Sequence, residues 1–154
     1  MTLRGPSDVE AALATAGVSY RRFEAKAARA SQAAESLGVA LGAVVKSLLF
    51  LVDGAPMLVL VGGDRRADTE KLKDRLRARR VMIADPERVM AETGYPVGAV
   101  PPFGLAQRLP VWIDAGLAEH ETVYVSGGAR DVMIGLLFDD LLRIAGGKVV
   151  DVSE

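Results

Sequence analysis

Val44-Val45-Lys46-Ser47-Leu48-Leu49-Phe50-Leu51-Val52-Asp53-Gly54-Ala55-Pro56-Met57-Leu58-Val59-Leu60-Val61 is two apolar runs joined by an Asp-Gly pair. Asp-Gly accepts the positive backbone angles of a two-residue turn, so Val44–Val52 and Met57–Val61 are expected to form an antiparallel hairpin. By the two-residue period of a strand, Lys46 shares a face with Leu48 and Phe50.

Upstream, Ser7-Asp8-Val9-Glu10 has the spacing of a capping box, which starts a helix that Gly17 ends. Val18–Phe23 alternates as a short strand, and Ser31–Leu37 reads as a second helix closed by Gly38. Downstream, a charged helix from about Thr69 to Arg79 turns Leu72 and Leu76 inward. Val81–Ala84 is a short strand. Asp85-Pro86 then gives an N-cap and a first-turn proline to a helix that Gly94 closes. Val111–Asp114, Thr122–Ser126 and Met133–Phe138 are strand-like, Phe138–Ala145 is helical, and Lys148–Val152 is a last strand. Hairpins mixed with strand–helix crossings point to an α+β fold around a mixed, largely antiparallel sheet flanked by helices. No repeat or linker interrupts residues 1–154, which read as one domain.

The 154 residues are 50% hydrophobic and 25% charged, with a net charge of −1, an ordinary balance for a globular chain. Near-neutral charge argues against nonspecific coating of nucleic acid but leaves room for a local basic patch. The absence of cysteine excludes a thiol nucleophile, a disulfide framework and cysteine-ligated metal. His120, the one histidine, lies in a polar connection and reads as a surface residue. Met1–Asp8 has no apolar core of a secretory signal, and no apolar run is long enough to span a bilayer, so a cytoplasmic location is expected.

Gly94-Tyr95-Pro96-Val97-Gly98-Ala99-Val100-Pro101-Pro102-Phe103-Gly104 carries three glycines and three prolines in eleven residues. Glycine opens backbone angles closed to other residues and proline fixes φ while removing an N–H, so this segment is a constrained loop. A simple turn needs one or two such residues. A stiff loop with exposed amides can hold a carbonyl or a phosphate. Lys46 is the second candidate: an ammonium on an inward face needs an anion or an open cleft, or else it snorkels to water. Ser126-Gly127 ends a strand with small residues that either admit a ligand or bend the chain. Tyr20, Tyr95 and Phe103 are aromatic candidates for base stacking or for packing. Lys71, Lys73 and Arg75 belong to a basic helical run that either contacts phosphates or forms a solvated face.

These residues resemble the YbaK / prolyl-tRNA synthetase-associated editing-domain family of aminoacyl-tRNA deacylases. The likeness runs in order through Val45-Lys46-Ser47-Leu48-Leu49-Phe50, Gly63-Asp64, Ala84-Asp85-Pro86-Glu87 and Thr93–Gly98. It continues through Pro101–Gly104, Leu109-Pro110-Val111 with Ile113-Asp114, and Val125–Gly128. The resemblance implies a free-standing trans-editing enzyme that hydrolyses the ester of mischarged tRNA, without metal or other cofactor. It places the family's lysine at Lys46 and its GxxxP loop at Gly98-Ala99-Val100-Pro101-Pro102. An activated ester beside a ribose hydroxyl needs positioning and carbonyl polarisation more than a strong nucleophile. The donors in that loop would be amides of Gly98, Ala99, Val100 or Phe103. Lys46 would meet the terminal phosphate or ribose edge, with Val45, Phe50 and Val100 as pocket walls. The implied partners are aminoacyl-tRNA and an aminoacyl-tRNA synthetase, as monomer or homodimer. A tRNA 3′-end or nucleotide-binding module of the same fold is the alternative.

Overall fold

The structure, a computed structural model, describes residues 3–25 and 29–154. Met1 and Thr2, at the start of the stretch read for a secretory signal, lie outside the described residues. The hairpin forms as expected. Asp53 (φ 48°) and Gly54 (φ 87°) both take positive angles, the two-residue turn whose twist suits paired strands. It joins β2 (Val45–Val52) to β3 (Ala55–Gly62), paired residue for residue from Val52–Ala55 to Val45–Gly62.

Around this hairpin lie β1 (Arg21–Glu24), β4 (Val81–Ile83), β5 (Val111–Asp114), β6 (Thr122–Ser126), β7 (Val132–Leu137) and β8 (Lys148–Val150). The helices are α1 (Pro6–Ala16), α2 (Ala30–Leu37), α3 (Thr69–Leu76), α4 (Pro86–Thr93) and α5 (Phe138–Ala145). The strands form two sheets. Five strands run β4-β2-β3-β5-β8, with β5 parallel to both neighbours, and three run β1-β7-β6, all antiparallel. The α+β fold is therefore largely antiparallel as expected. It is split into two sheets joined at a bridge between Val44 and Tyr124.

Alternation on β2 divides the core. Val45 and Leu49 pack with Leu58, Leu60, Val100, Ile113 and Ile134. Phe50 packs on the other side with Met57, Val59, Val61, Leu72 and Val152, and Leu48 leans on the same cluster. This is the face that the period of two assigns to Lys46.

Local chemistry shifts some boundaries. The first helix starts two residues earlier than the Ser7 reading. Gly5 is the N-cap, Pro6 fills the first position, and Asp8, not Glu10, takes the Gly5 N–H at 2.9 Å. The basic helix ends at Leu76 because Arg77 adopts a left-handed φ of 53°. Asp68 caps its start through the N–H groups of Glu70 and Lys71.

The C-terminal segment explains what that helix does. Buried Asp114 accepts hydrogen bonds from Val152 N and Ser153 Oγ, both at 3.0 Å. Lys71 Nζ contacts Asp151 at 3.1 Å and donates to Ser153 O at 2.7 Å, and Arg75 Nε donates to Asp151 O at 2.7 Å. Lys73 pairs with Glu70 at 3.9 Å. The three cations proposed to touch tRNA are thus engaged within the fold, two of them tying down the chain end. Lys71→Ala with Arg75→Ala is expected to lower the melting temperature by a few degrees, as partly exposed ion pairs do. The same pair of changes should leave the salt dependence of tRNA binding unchanged. Thermal unfolding and filter binding at several salt concentrations check both.

Candidate active site

The Gly94–Gly104 loop is held at both ends before it reaches solvent. Gly94 caps α4 at φ 85°. Tyr95, fully buried, donates from its hydroxyl to Gly104 O at 2.6 Å and so ties the loop's two ends together. Burial, helped by Asp8, pushes the Tyr95 hydroxyl up to about 12, so it stays a donor at neutral pH. Thr93 Oγ1 accepts from Tyr95 N at 3.1 Å and donates to Val89 O at 2.7 Å. Tyr95 is therefore an internal brace and no stacking platform.

At the tip, Ala99 N donates to Pro96 O at 3.0 Å and Gly98 sits at φ 89°. A positive φ at the third position of a hydrogen-bonded four-residue turn is the type II arrangement, which calls for glycine there. Two side chains from β6 and the turn after it fix the tip. Arg130 Nε and Nη2 donate to Val97 O at 3.3 and 3.2 Å, and Ser126 Oγ donates to Gly98 O at 3.4 Å. The Ala99 amide is consumed inside the turn, which removes it as a donor to a ligand. Pro101 and Pro102 have none. The Gly98 and Val100 N–H groups have no acceptor among the described residues.

Lys46 lies across from this tip. Its Nζ donates to Arg65 O in the loop after β3. Burial first, then the nearby Arg66 guanidinium, lowers the ammonium below the ordinary lysine range, and Asp64 opposes the shift. Lys46, Gly98 and Val100 line one cavity of about 340 Å³. Val44 and the start of β2 (Val45–Leu48) form its floor, Ala30 and Ala33 of α2 one wall, and Ser126 and Met133 another. The walls are mainly apolar, with Arg29 and Lys46 supplying cations. Among the described residues, no cluster of three or more His, Asp or Glu could hold a metal.

The structure brings together Lys46, Val45, Gly98, Val100 and Ser126 at this cavity. It does not bring in the other candidates. Phe50 is buried in the opposite core cluster. Phe103 is buried with Val9 and Leu13 and faces a second depression lined by Gly104 and Leu109. Tyr20 packs against α1, its hydroxyl on Glu10 at 3.2 Å. Ala99 and Pro102 are buried under the tip. Gly127 serves packing: a Cβ there would stand 2.6 Å from Val132 Cγ1. Arg130 was not legible in the sequence, because only the fold shows that it reaches Val97.

Residues 24–144 match the family model described as an aminoacyl-tRNA editing domain. Over 134 residues the chain is 35% identical to the uncharacterized protein YwhH of Bacillus subtilis (strain 168), covering 86% of this chain and 85% of that protein. Over 95 residues, 62% of this chain, it is 43% identical to a proline–tRNA ligase of Desulfovibrio desulfuricans, and the matched stretch is 16% of that ligase. A solved structure, "Crystal structure of a putative trans-editing enzyme for prolyl tRNA synthetase", superposes with a TM-score of 0.89 at 31% identity. The superposition covers 97% of this chain and 96% of that one. No described helix is long and apolar enough to cross a membrane.

Proposed function

The chain belongs to the aminoacyl-tRNA editing domain family, and from that premise we propose that it is a deacylase that hydrolyses the ester of mischarged tRNA in trans. The observation that carries this reading is the convergence of Lys46 and the Gly98 turn on one apolar cavity. The end-to-end match to a solved protein described as a trans-editing enzyme supports action in trans.

In this reading the Gly98 and Val100 amides polarise the ester carbonyl. Their positions are set beforehand by the turn, by Arg130 and by Ser126, so no reorganisation is needed as negative charge builds on the oxygen. Lys46, tethered to Arg65 O, holds the terminal phosphate or ribose edge. Water, oriented by the vicinal ribose hydroxyl, adds to the carbonyl; the bond from the acyl carbon to the ribose oxygen breaks, and the proton lost by water ends on that oxygen, leaving free amino acid and tRNA. The chain needs no nucleophile of its own, which suits a cavity whose walls are mainly alanine, valine, leucine and methionine. Those walls also sort side chains by size, although one methylene is worth only about 1–3 kcal/mol.

The test is a panel of tRNAs carrying alanine, serine, threonine, cysteine or proline, incubated with the purified protein. Release of at least one amino acid well above the uncatalysed rate is expected, with proline on its own tRNA spared. Binding of every member with no release would establish the binding module in place of the enzyme.

A further inference from the structure

The edge of β2 opposite β3 has a gap. Downstream it is covered by β4, which pairs antiparallel with Phe50–Val52, and by Ala84, whose N–H reaches Leu49 O at 2.9 Å. Upstream it is closed by the bridge from Val44 to Tyr124. Strand alternation decides which groups face this gap. Leu49 turns its carbonyl away from β3, and its partner Leu58 gives its N–H to Pro110 O on the far side. Residues of the same parity point the same way, so Ser47 directs its N–H and C=O outward, while Lys46 and Leu48 direct theirs to β3.

Ser47 is therefore the residue of this gap whose two backbone groups both face the open side. No loop or cap residue bonds to either, and the strand registers pair Ser47 with Leu60 of β3 alone. Its side chain repeats the pattern: Ser47 Oγ is the one enclosed side-chain polar atom among the described residues without a hydrogen bond. Leaving a buried polar group unpaired is costly, and native chains avoid it where no ligand is awaited. Ser47 also lines the cavity, with Gly98 and Val100.

We infer that Ser47 is the docking point for the aminoacyl group, which binds as a one-residue antiparallel continuation of β4. The pairing is set by chemistry. An aminoacyl ester carries an α-amino donor and a carbonyl acceptor two bonds apart, as a strand residue does. In the hydrogen-bonded pair of an antiparallel ladder one residue accepts at its C=O and donates at its N–H to the same partner. The Ser47 carbonyl would accept from the α-amino group, and its N–H would hold the ester carbonyl from the side opposite the Gly98 turn. The site would then read the α-amino group in every substrate and leave the side chain to the apolar walls. The inference rests on the deacylase reading and extends it from the reacting ester to the amino acid's backbone.

The probes are 3′-deoxy-3′-(L-alanylamido)adenosine, which cannot be hydrolysed as an ester, and its propionamido counterpart, which lacks only the α-amino group. Backbone amide NMR of the full chain reports binding site by site. The alanylamido compound is expected to shift the Ser47 amide and slow its hydrogen exchange at least about tenfold. The propionamido compound should bind about 10–100-fold more weakly, as loss of a hydrogen bond from a charged group implies. Ser47→Pro removes the outward N–H and spares the ladder to β3, so a folded variant should lose at least about tenfold in deacylation. Shifts at Gly98 and Val100 with an unmoved Ser47, or equal affinity for both compounds, would overturn the inference and leave the deacylase standing. No binding of either compound, with an inert tRNA panel, would overturn both.

Discussion

Gly98→Val should lower deacylation by about 10²–10³-fold, the usual cost of losing one preorganised donor to a developing oxyanion. The reason is backbone conformation and not crowding. A Cβ on Gly98 would have Arg130 Nε as its nearest neighbour at 3.6 Å, an ordinary contact. The φ of 89° is what a β-branched residue cannot hold, at a cost of about 1–3 kcal/mol. The tip is exposed at Val97 and Gly98 while the Tyr95–Gly104 brace lies buried behind it. Strain at residue 98 is therefore relieved by rearranging the turn, with the Gly98 and Val100 amides turning away from the cavity. The rest of the fold stays intact. The series can be graded: asparagine tolerates a positive φ at this turn position, alanine less so, and valine least. Rates should fall in the order Gly98→Asn, Gly98→Ala, Gly98→Val, with near-constant melting temperature. Steady-state kinetics beside thermal unfolding checks this, and a folded Gly98→Val protein of undiminished kcat/KM would exclude the turn from the chemistry.

How much of this was legible follows from the range of each interaction. The hairpin, the caps of α4 and the span of α5 depend on residues near in sequence: Asp53-Gly54, Asp85-Pro86, Gly94, and apolar spacing. All of them appear where local chemistry puts them. The constrained nature of the Gly94–Gly104 loop was equally local. The features left open depend on distant partners. Lys71 and Arg75 look like a free basic face until Asp151 and Ser153, some eighty residues on, are placed against them. Tyr95 and Phe103 sit in a loop sequence, yet both are buried because the loop folds back onto α1. Gly127 was ambiguous until Val132 came within reach of its missing Cβ. The division of the strands into two sheets depends on where β6 meets Val44, which no local pattern encodes. The open backbone of Ser47 is invisible to a sequence reading for a related reason. Serine in a strand is unremarked until β4 is seen to stop two residues short of it.

Lys46→Ala should reduce kcat/KM by about 10²-fold, near the upper range for removing a hydrogen-bonded charge. The ammonium is fixed from one side by Arg65 O, so it meets a ligand already oriented, and alanine removes both the charge and that tether. Lys46→Arg separates these contributions. It keeps the charge but spreads it over a planar fork that does not fit a single carbonyl tether, so partial recovery is expected at best. The pH profile supplies a second readout that a purely structural role would not give. Burial and Arg66 place the Lys46 pKa below the ordinary 10.5. If the ammonium is the form that grips the phosphate or ribose, enzyme-dependent deacylation, corrected for alkaline hydrolysis of the ester, falls with a midpoint below 10.5. Lys46→Arg should move that limb to higher pH. Folding carries the matching sign. Between the lowered pKa and 10.5 the unfolded chain holds a proton that the folded chain has released, so stability from this group rises with pH across that window. Lys46→Met should abolish that rise. An alkaline limb that stays in place when Lys46 is replaced by arginine would assign the titration to another group and detach Lys46 from substrate binding.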